Sequence, residues 1–300
     1  MTREATARTD RPSADPPPGG PAVHVVVVAY GAVGLLDTCL EELDGAYPVL
    51  VVDNSSDPGV RAVAERYGSR YLDPGRNLGF AGGVNVGLEQ LEPLDGEVLL
   101  LNPDAAIGPA GVAALSRCLH ADPRLACVAP AQVDRSGDDD ARVDWPFPTP
   151  LGAWVEAVGL GRLRRGDRFL IGSVLLIRAT ALADVGRFDE RFFLYAEETD
   201  WQRRALDRGW RVALCPEVVA VHEGAGTGGD AAVREAHFHA SHERYLRKYH
   251  GAAGWQCYRA GAMLGALGRA LVLPGERGHQ AAARFHLYRR GPCRVESRIR

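Results

Sequence analysis

Val98-Leu99-Leu100-Leu101-Asn102-Pro103-Asp104-Ala105 is the stretch around which the chain is organised. Its apolar run, closed by a polar residue and a proline, reads as a strand buried on both faces. Asp104 falls just past the carboxyl end of that strand. In open α/β sheets ligands bind at this edge, where the loops converge. A carboxylate held there by a stiff proline can offer oxygen to a divalent cation. An Asn-Pro-Asp turn that merely closes a strand has the same sequence.

Upstream, residues 24–29 and 49–52 are β-branched apolar runs, and 70–72 is a short third strand. Helical spacing over 35–43 and 60–67 supplies the crossovers, so the first half reads as a βαβ series with a parallel sheet. Each strand delivers polar residues at its carboxyl end: Tyr30, Asp53, then Asn102 and Asp104. Together they describe one crevice. Asp53 opens Asp53-Asn54-Ser55-Ser56-Asp57, which reads either as an Asx-turn or as a carboxylate set to accept a pyrimidine imide N–H. The run from Arg76 to Gly87 carries four glycines before a helix. It is neither a dinucleotide fingerprint nor a P-loop. Its glycines allow close backbone approach to an anionic ligand, or simply tight helix packing.

Downstream, 111–120 reads as a helix, 125–129 as a strand, 134–144 as an acidic surface loop and 169–178 as a strand with Gly172 and Ser173 facing the crevice. The prolines and aromatics of 145–150 open the second half of the chain, either as exposed aromatics or as ordinary packing. A helix over 197–207, stopped by Gly209, carries Glu197, Glu198 and Asp200 in its first turn. Acids suit a helix N-terminus, and a carboxylate here can also serve as a general base. Strands over 211–215 and 218–221 end at His222, and 223–229 reads as a flexible loop able to close over a ligand. His237, His239, His242 and His250 match no metal spacing and read as a solvated or partly packed helix face.

Composition narrows the class. Three hundred residues with a net charge of -3 and one lysine, Lys248, give no basic field for nucleic acid. Six scattered cysteines without a CxxC pair read as buried thiols rather than disulfides. Residues 1–22 are rich in Pro, Gly and charge and are expected to be disordered; with no apolar signal segment among them, the cytoplasm is the expected compartment. The tail 255–300 is helical in pattern, with an apolar stretch followed by arginines. It suits an anionic membrane surface on the inner face of the plasma membrane, a helical pair covering the main domain, or a homodimer contact.

Val51-Val52-Asp53-Asn54-Ser55-Ser56-Asp57, Arg76-Asn77-Leu78-Gly79-Phe80-Ala81-Gly82-Gly83-Val84-Asn85, Leu101-Asn102-Pro103-Asp104 and Phe192-Phe193-Leu194-Tyr195-Ala196-Glu197-Glu198 together resemble the motifs of the family 2 glycosyltransferases, in particular their rhamnosyltransferase-like branch. The resemblance implies a GT-A fold: an α/β, Rossmann-like, mostly parallel central sheet flanked by helices over 23–230, with a C-terminal helical extension over 231–300. It implies inverting transfer of a single sugar from a nucleotide donor with Mg²⁺ or Mn²⁺. The leading donor is dTDP-L-rhamnose and the acceptor a glycan or polyprenyl-diphosphate-linked sugar of the cell envelope. A UDP-sugar (galactofuranosyl or hexosyl) transferase and a catalytically impaired nucleotide-sugar-binding protein are the alternatives. Carried over by position, Tyr30 and Asp53 meet the base, Asn77, Gly83 and Asn102 line the nucleotide, Asp104 and His222 hold the metal, and Glu198, with Glu197 as alternate, is the base. The family has Glu-Asp where this chain has Glu197-Glu198, and strict DxD where it has Asn102-Pro103-Asp104. A sugar nucleotidyltransferase would want a basic phosphate loop after the first strand, which Ala29–Gly34 lacks.

Overall fold

The computed structural model describes residues 22–136, 140–161, 166–224 and 230–299. The expected disordered segment, most of the closing loop and the tip of the acidic loop lie outside the described residues. In chain order the elements are β1 (Ala22–Ala29), α1 (Val33–Glu42), β2 (Val49–Asp53), α2 (Pro58–Arg66), β3 (Arg70–Leu72), α3 (Gly79–Glu89), β4 (Gly96–Leu101), β5 (Ala105–Ala106), α4 (Pro109–Ala121), β6 (Leu125–Val133) and β7 (Asp140–Ala141). They continue with β8 (Asp144–Pro146), α5 (Gly152–Ala157), β9 (Arg168–Leu170), β10 (Val174–Ile177), α6 (Ala179–Val185), α7 (Glu197–Asp207), β11 (Arg211–His222), α8 (Ala231–Val272), α9 (Gly275–Arg290) and α10 (Pro292–Glu296).

The main sheet runs β3-β2-β1-β4-β10-β6-β11-β5, with β7 beside β6. β1 to β4 are mutually parallel, so the chain reverses its winding direction between β1 and β4. That switch point opens a crevice at the carboxyl ends of the strands. Side-chain alternation splits the core in two, as strand geometry requires. Val25, Val27, Leu99 and Leu101 face α1, α2 and α4, whereas Val26, Val28, Val98 and Leu100 face α3, α6 and α7. Burial on both faces explains why these strands read as continuous apolar runs.

Several sequence readings change. The expected strand over 169–178 is two, β9 and β10, broken at Gly172-Ser173. β10 is antiparallel to both its neighbours, which carries its starting end to the edge where β4 finishes. The two strands expected over 211–221 are one, β11, with a register shift between Cys215 and Val219. Pro216 lies in that shift and has no N–H for a ladder bond. Cys118 of α4 and Cys215 of β11 form a disulfide, with Cα atoms 6.6 Å apart. The expectation of six free thiols is therefore corrected: tertiary packing joins two cysteines 97 positions apart, which spacing rules cannot detect.

The tail consists of α8, α9 and α10 joined by short links. α8 kinks at Gly251, whose φ is 66°, and its second half lies against α9 and α5. His237 and His239 are buried rather than solvated. His237 Nδ1 lies 2.8 Å from Glu296 Oε1, and the Tyr288 hydroxyl lies 2.8 Å from His239 Nδ1. They fasten α8 to α10 and α9. His242 and His250 stay half-buried.

Candidate active site

Three chain segments meet at the crevice beside Asp104. β4 delivers Asn102, whose N–H donates to the Ser173 carbonyl at 2.8 Å. β5 pairs antiparallel with β11, setting His222 opposite Ala105 and thus beside Asp104. His222 Nε2 stands 3.5 Å from Asp104 Oδ1, too long for a good hydrogen bond. Asp104 is buried, and its Oδ1 has no hydrogen-bond partner. An unpartnered buried carboxylate oxygen is costly unless something else meets it. Behind it, burial first and the Asp104 charge second push the Cys39 thiol up to about 12.

Glu197 and Glu198 open α7. Tyr195 and Ala196 both take left-handed backbone, φ 68° and 65°, turning the chain sharply into α7 before the two acids. Such strain in non-glycine residues clusters at functional sites. Gln202 then acts as an artificial strand, accepting from Leu170 N at 2.8 Å and donating to Leu170 O at 2.7 Å. That clamp ties α7 to β9, and Gly172 just beyond it abuts Glu198. A Cβ on Gly172 would stand 3.4 Å from Glu198 Cβ and 3.5 Å from its Cγ.

Both acids are buried, and Glu197 Oε2 has no partner. Burial, then the Glu198 charge, holds the Glu197 carboxyl far above the usual range. Burial pushes Glu198 up to about 7 against hydrogen bonds that pull it down. A carboxyl poised near neutral pH in a cleft has the property a general base needs. Burial raises the Tyr195 hydroxyl, Arg234 lowers it, and the charges of Glu197 and Asp104 raise it further. Asp200 is different. Arg204, Lys248 and the Tyr249 hydroxyl all donate to its carboxylate, making it an anchor between α7 and α8.

The glycine-rich run is resolved residue by residue. Asn77 is exposed on the rim, and its Oδ1 accepts from Gly79 N at 2.9 Å. Gly79 has φ 73°, and a Cβ there would lie 2.2 Å from the Phe193 carbonyl, so only glycine fits. Gly83 packs α3 onto β1, where a Cβ would lie 2.6 Å from Val28 Cγ1; close helix–sheet approach accounts for that glycine. Tyr30 is exposed at the end of β1. Asp53 is fully buried and builds the Asx-turn: Oδ1 accepts from Ser55 N and Oγ, Oδ2 from Asp57 N and the Tyr71 hydroxyl. Four donors fill the acceptor capacity of a carboxylate.

A family model described as "Glycosyltransferase like family 2" matches residues 20–251. An N-acetylglucosaminyl-diphospho-decaprenol L-rhamnosyltransferase of Mycobacterium tuberculosis is 33% identical, over 77% of this chain and 85% of that one. The chain belongs to glycosyltransferase family 2. This glycosyltransferase is also similar to a galactofuranosyltransferase of Mycolicibacterium smegmatis, 30% identical over 67% of this chain and 70% of that one. In fold it resembles glucosyl-3-phosphoglycerate synthase of Mycobacterium tuberculosis, with TM-score 0.50 and 16% identity over 75% of this chain and 80% of that one. The sheet and flanking helices are thus those of a GT-A glycosyltransferase, rhamnosyltransferase-like in sequence.

In this glycosyltransferase sequence reasoning did not find Tyr195, the clamp of Gln202 or the anchor at Asp200. A tyrosine before two acids is a weak signal by itself, and its left-handed φ is visible only in the fold. Asp200 could have been separated from its neighbours by its spacing to Arg204, an i,i+4 pair.

Proposed function

We propose that the enzyme transfers one sugar, with inversion, from a nucleoside-diphosphate donor to a carbohydrate hydroxyl, with Glu198 as general base. The observation that carries this reading is the pair of buried carboxyls that opens α7, with Glu198 against Gly172, the residue before Ser173, whose carbonyl accepts from the N–H of Asn102. Its carboxylate accepts the acceptor hydroxyl proton as that oxygen bonds to the anomeric carbon. The bond from that carbon to the diphosphate oxygen breaks on the opposite face, and the nucleoside diphosphate leaves. Glu197, more strongly held protonated, keeps a second negative charge away from its neighbour.

The residues at Asp104 fit a divalent cation. The partnerless Oδ1 and the nearby His222 Nε2 are free ligand atoms. Among the described residues no three His, Cys, Asp or Glu gather into a metal-binding group. A Mg²⁺ or Mn²⁺ held by Asp104 and His222 would therefore complete its shell with diphosphate and water, as Mg²⁺ sites do, and its chemistry is neutralisation of the leaving diphosphate. Asn102 and Asn77 flank the nucleotide, and the base lies over Tyr30 and the Asp53 turn. To accept an imide N–H, Asp53 must release the Tyr71 or Ser55 hydroxyl.

The donor is dTDP-L-rhamnose and the acceptor a polyprenyl-diphosphate-linked N-acetylglucosamine; the name of the 33% identical relative, an N-acetylglucosaminyl-diphospho-decaprenol L-rhamnosyltransferase, supports the sugar and the acceptor. UDP-galactofuranose is the second donor reading, favoured by the galactofuranosyltransferase relative. The test is product formation with dTDP-rhamnose and UDP-galactofuranose on a lipid-linked N-acetylglucosaminyl diphosphate, with Mn²⁺ and with EDTA. Metal-dependent rhamnosyl transfer, abolished by Glu198→Gln with donor binding intact, is the expected result. Donor binding without turnover in the unaltered protein would instead identify a nucleotide-sugar-binding protein.

A further inference from the structure

The second half of α8 bears an apolar face that none of the described residues covers. From 260 to 273 its one charged residue is Arg269, and Leu264, Leu267 and Leu271 at i, i+3 and i+7 are exposed, as is Val272. Beside this stripe α5 is held at close range by two glycines. A Cβ on Gly261 would meet the Trp154 ring at 2.8 Å, and one on Gly265 would meet Ala157 Cβ at 2.9 Å. Trp154 Nε1 donates to the Cys257 carbonyl at 2.9 Å. Leu151, Trp154, Val158 and Leu160 at this helix are exposed too, so two apolar surfaces adjoin. Contiguous exposed apolar surface marks an interaction site, unlike single scattered residues.

Charge selects the partner. Residues 259–300 contain nine arginines and two glutamates, in a chain whose net charge is -3. Of those glutamates, Glu296 is buried against Arg244 and His237. α9 runs back along α8: Arg259 donates to the Tyr288 and Arg289 carbonyls at 2.8 and 2.9 Å. Exposed Arg289 and Arg290 therefore stand level with the start of the stripe, and exposed Arg277 with its end. A second copy would bring like charge against like charge. An anionic bilayer offers both an apolar interior and the opposite charge. No helix among the described residues is long and apolar enough to cross a membrane, so the contact is one of lying on the surface.

We propose that the α5–α8 face docks this enzyme on an anionic lipid surface, with Trp154 and the α8 leucines entering the headgroup boundary and the α9 arginines meeting lipid phosphates. The proposal is independent of which sugar is transferred. Its test is co-sedimentation of the full chain with phosphatidylcholine vesicles with and without phosphatidylglycerol, across a salt series. The protein should pellet with phosphatidylglycerol vesicles and less so as salt rises. Leu264→Asp/Leu271→Asp, changed at exposed positions, should weaken binding roughly tenfold or more while keeping the thermal melt. Arg289→Glu/Arg290→Glu should weaken it and flatten the salt dependence. The proposal is overturned if the protein stays in solution with phosphatidylglycerol vesicles, if both variants bind unchanged, or if sedimentation velocity shows a dimer that the leucine variant dissociates.

Discussion

Replacing Glu198 by Gln should make the protein more stable above neutral pH and nearly inactive. In the fold, burial raises this carboxyl from 4.5 to about 7. A raised carboxyl contributes stability fully below its unfolded value of 4.5, and that contribution is lost as pH rises through about 7. Relative to a neutral amide of the same shape, the loss is under about 1 kcal/mol at pH 4.5, about 2 at pH 6 and about 3 near pH 8. Removing the Glu198 charge also relieves Glu197, whose carboxyl that charge pushes upward, so the two effects share a sign. Urea unfolding of both proteins over this pH range reads the difference directly. Turnover should fall by roughly 10²–10⁴-fold in Glu198→Gln, and the rate of the unaltered enzyme should rise with pH through about 7. A stability difference that is flat with pH would refute the buried, costly carboxylate. A variant that keeps its turnover would refute the base.

Asp104→Asn removes the charge from the partnerless oxygen, so calorimetric binding of dTDP or UDP with Mn²⁺ should weaken at least about tenfold; the same affinity with EDTA and with Mn²⁺ would sink the metal reading. Gly79→Ala drives a methyl to within 2.2 Å of the Phe193 carbonyl at φ 73° and should cost about 2 kcal/mol or more, read as a lowered melting temperature. Reducing Cys118–Cys215, which closes a loop of 97 positions, should destabilise by up to about 4 kcal/mol. Mass spectrometry without reductant should find those two cysteines, and not Cys39 or Cys127, resistant to alkylation after unfolding.

Much of the crevice was legible because it follows from strand ends. A βαβ series with a reversal of winding must bring the carboxyl ends of its strands together, so Tyr30, Asp53, Asn102 and Asp104 could be grouped before any coordinates. The α7 acids were legible for a local reason as well: a helix start with three carboxylates is uncommon enough to draw notice. Local sequence did not reveal what each side chain meets. Asp53 and Gly83 carry residue types that suit a ligand, yet one is saturated by its own turn and the other is pressed on Val28. Both outcomes depend on neighbours supplied from elsewhere in the chain.

The sequence by itself determined the α/β class, the order of the elements and the family, because burial on both faces of a parallel strand leaves a continuous apolar run and because motif order survives in one dimension. Only the tertiary structure decided that β10 runs antiparallel, bringing Ser173 to Asn102 and Gly172 to Glu198. It also decided that β11 returns beside β5 to set His222 near Asp104, and that Cys118 reaches Cys215. These are pairings between distant segments, fixed by backbone hydrogen bonds and close packing whose partners no local pattern encodes.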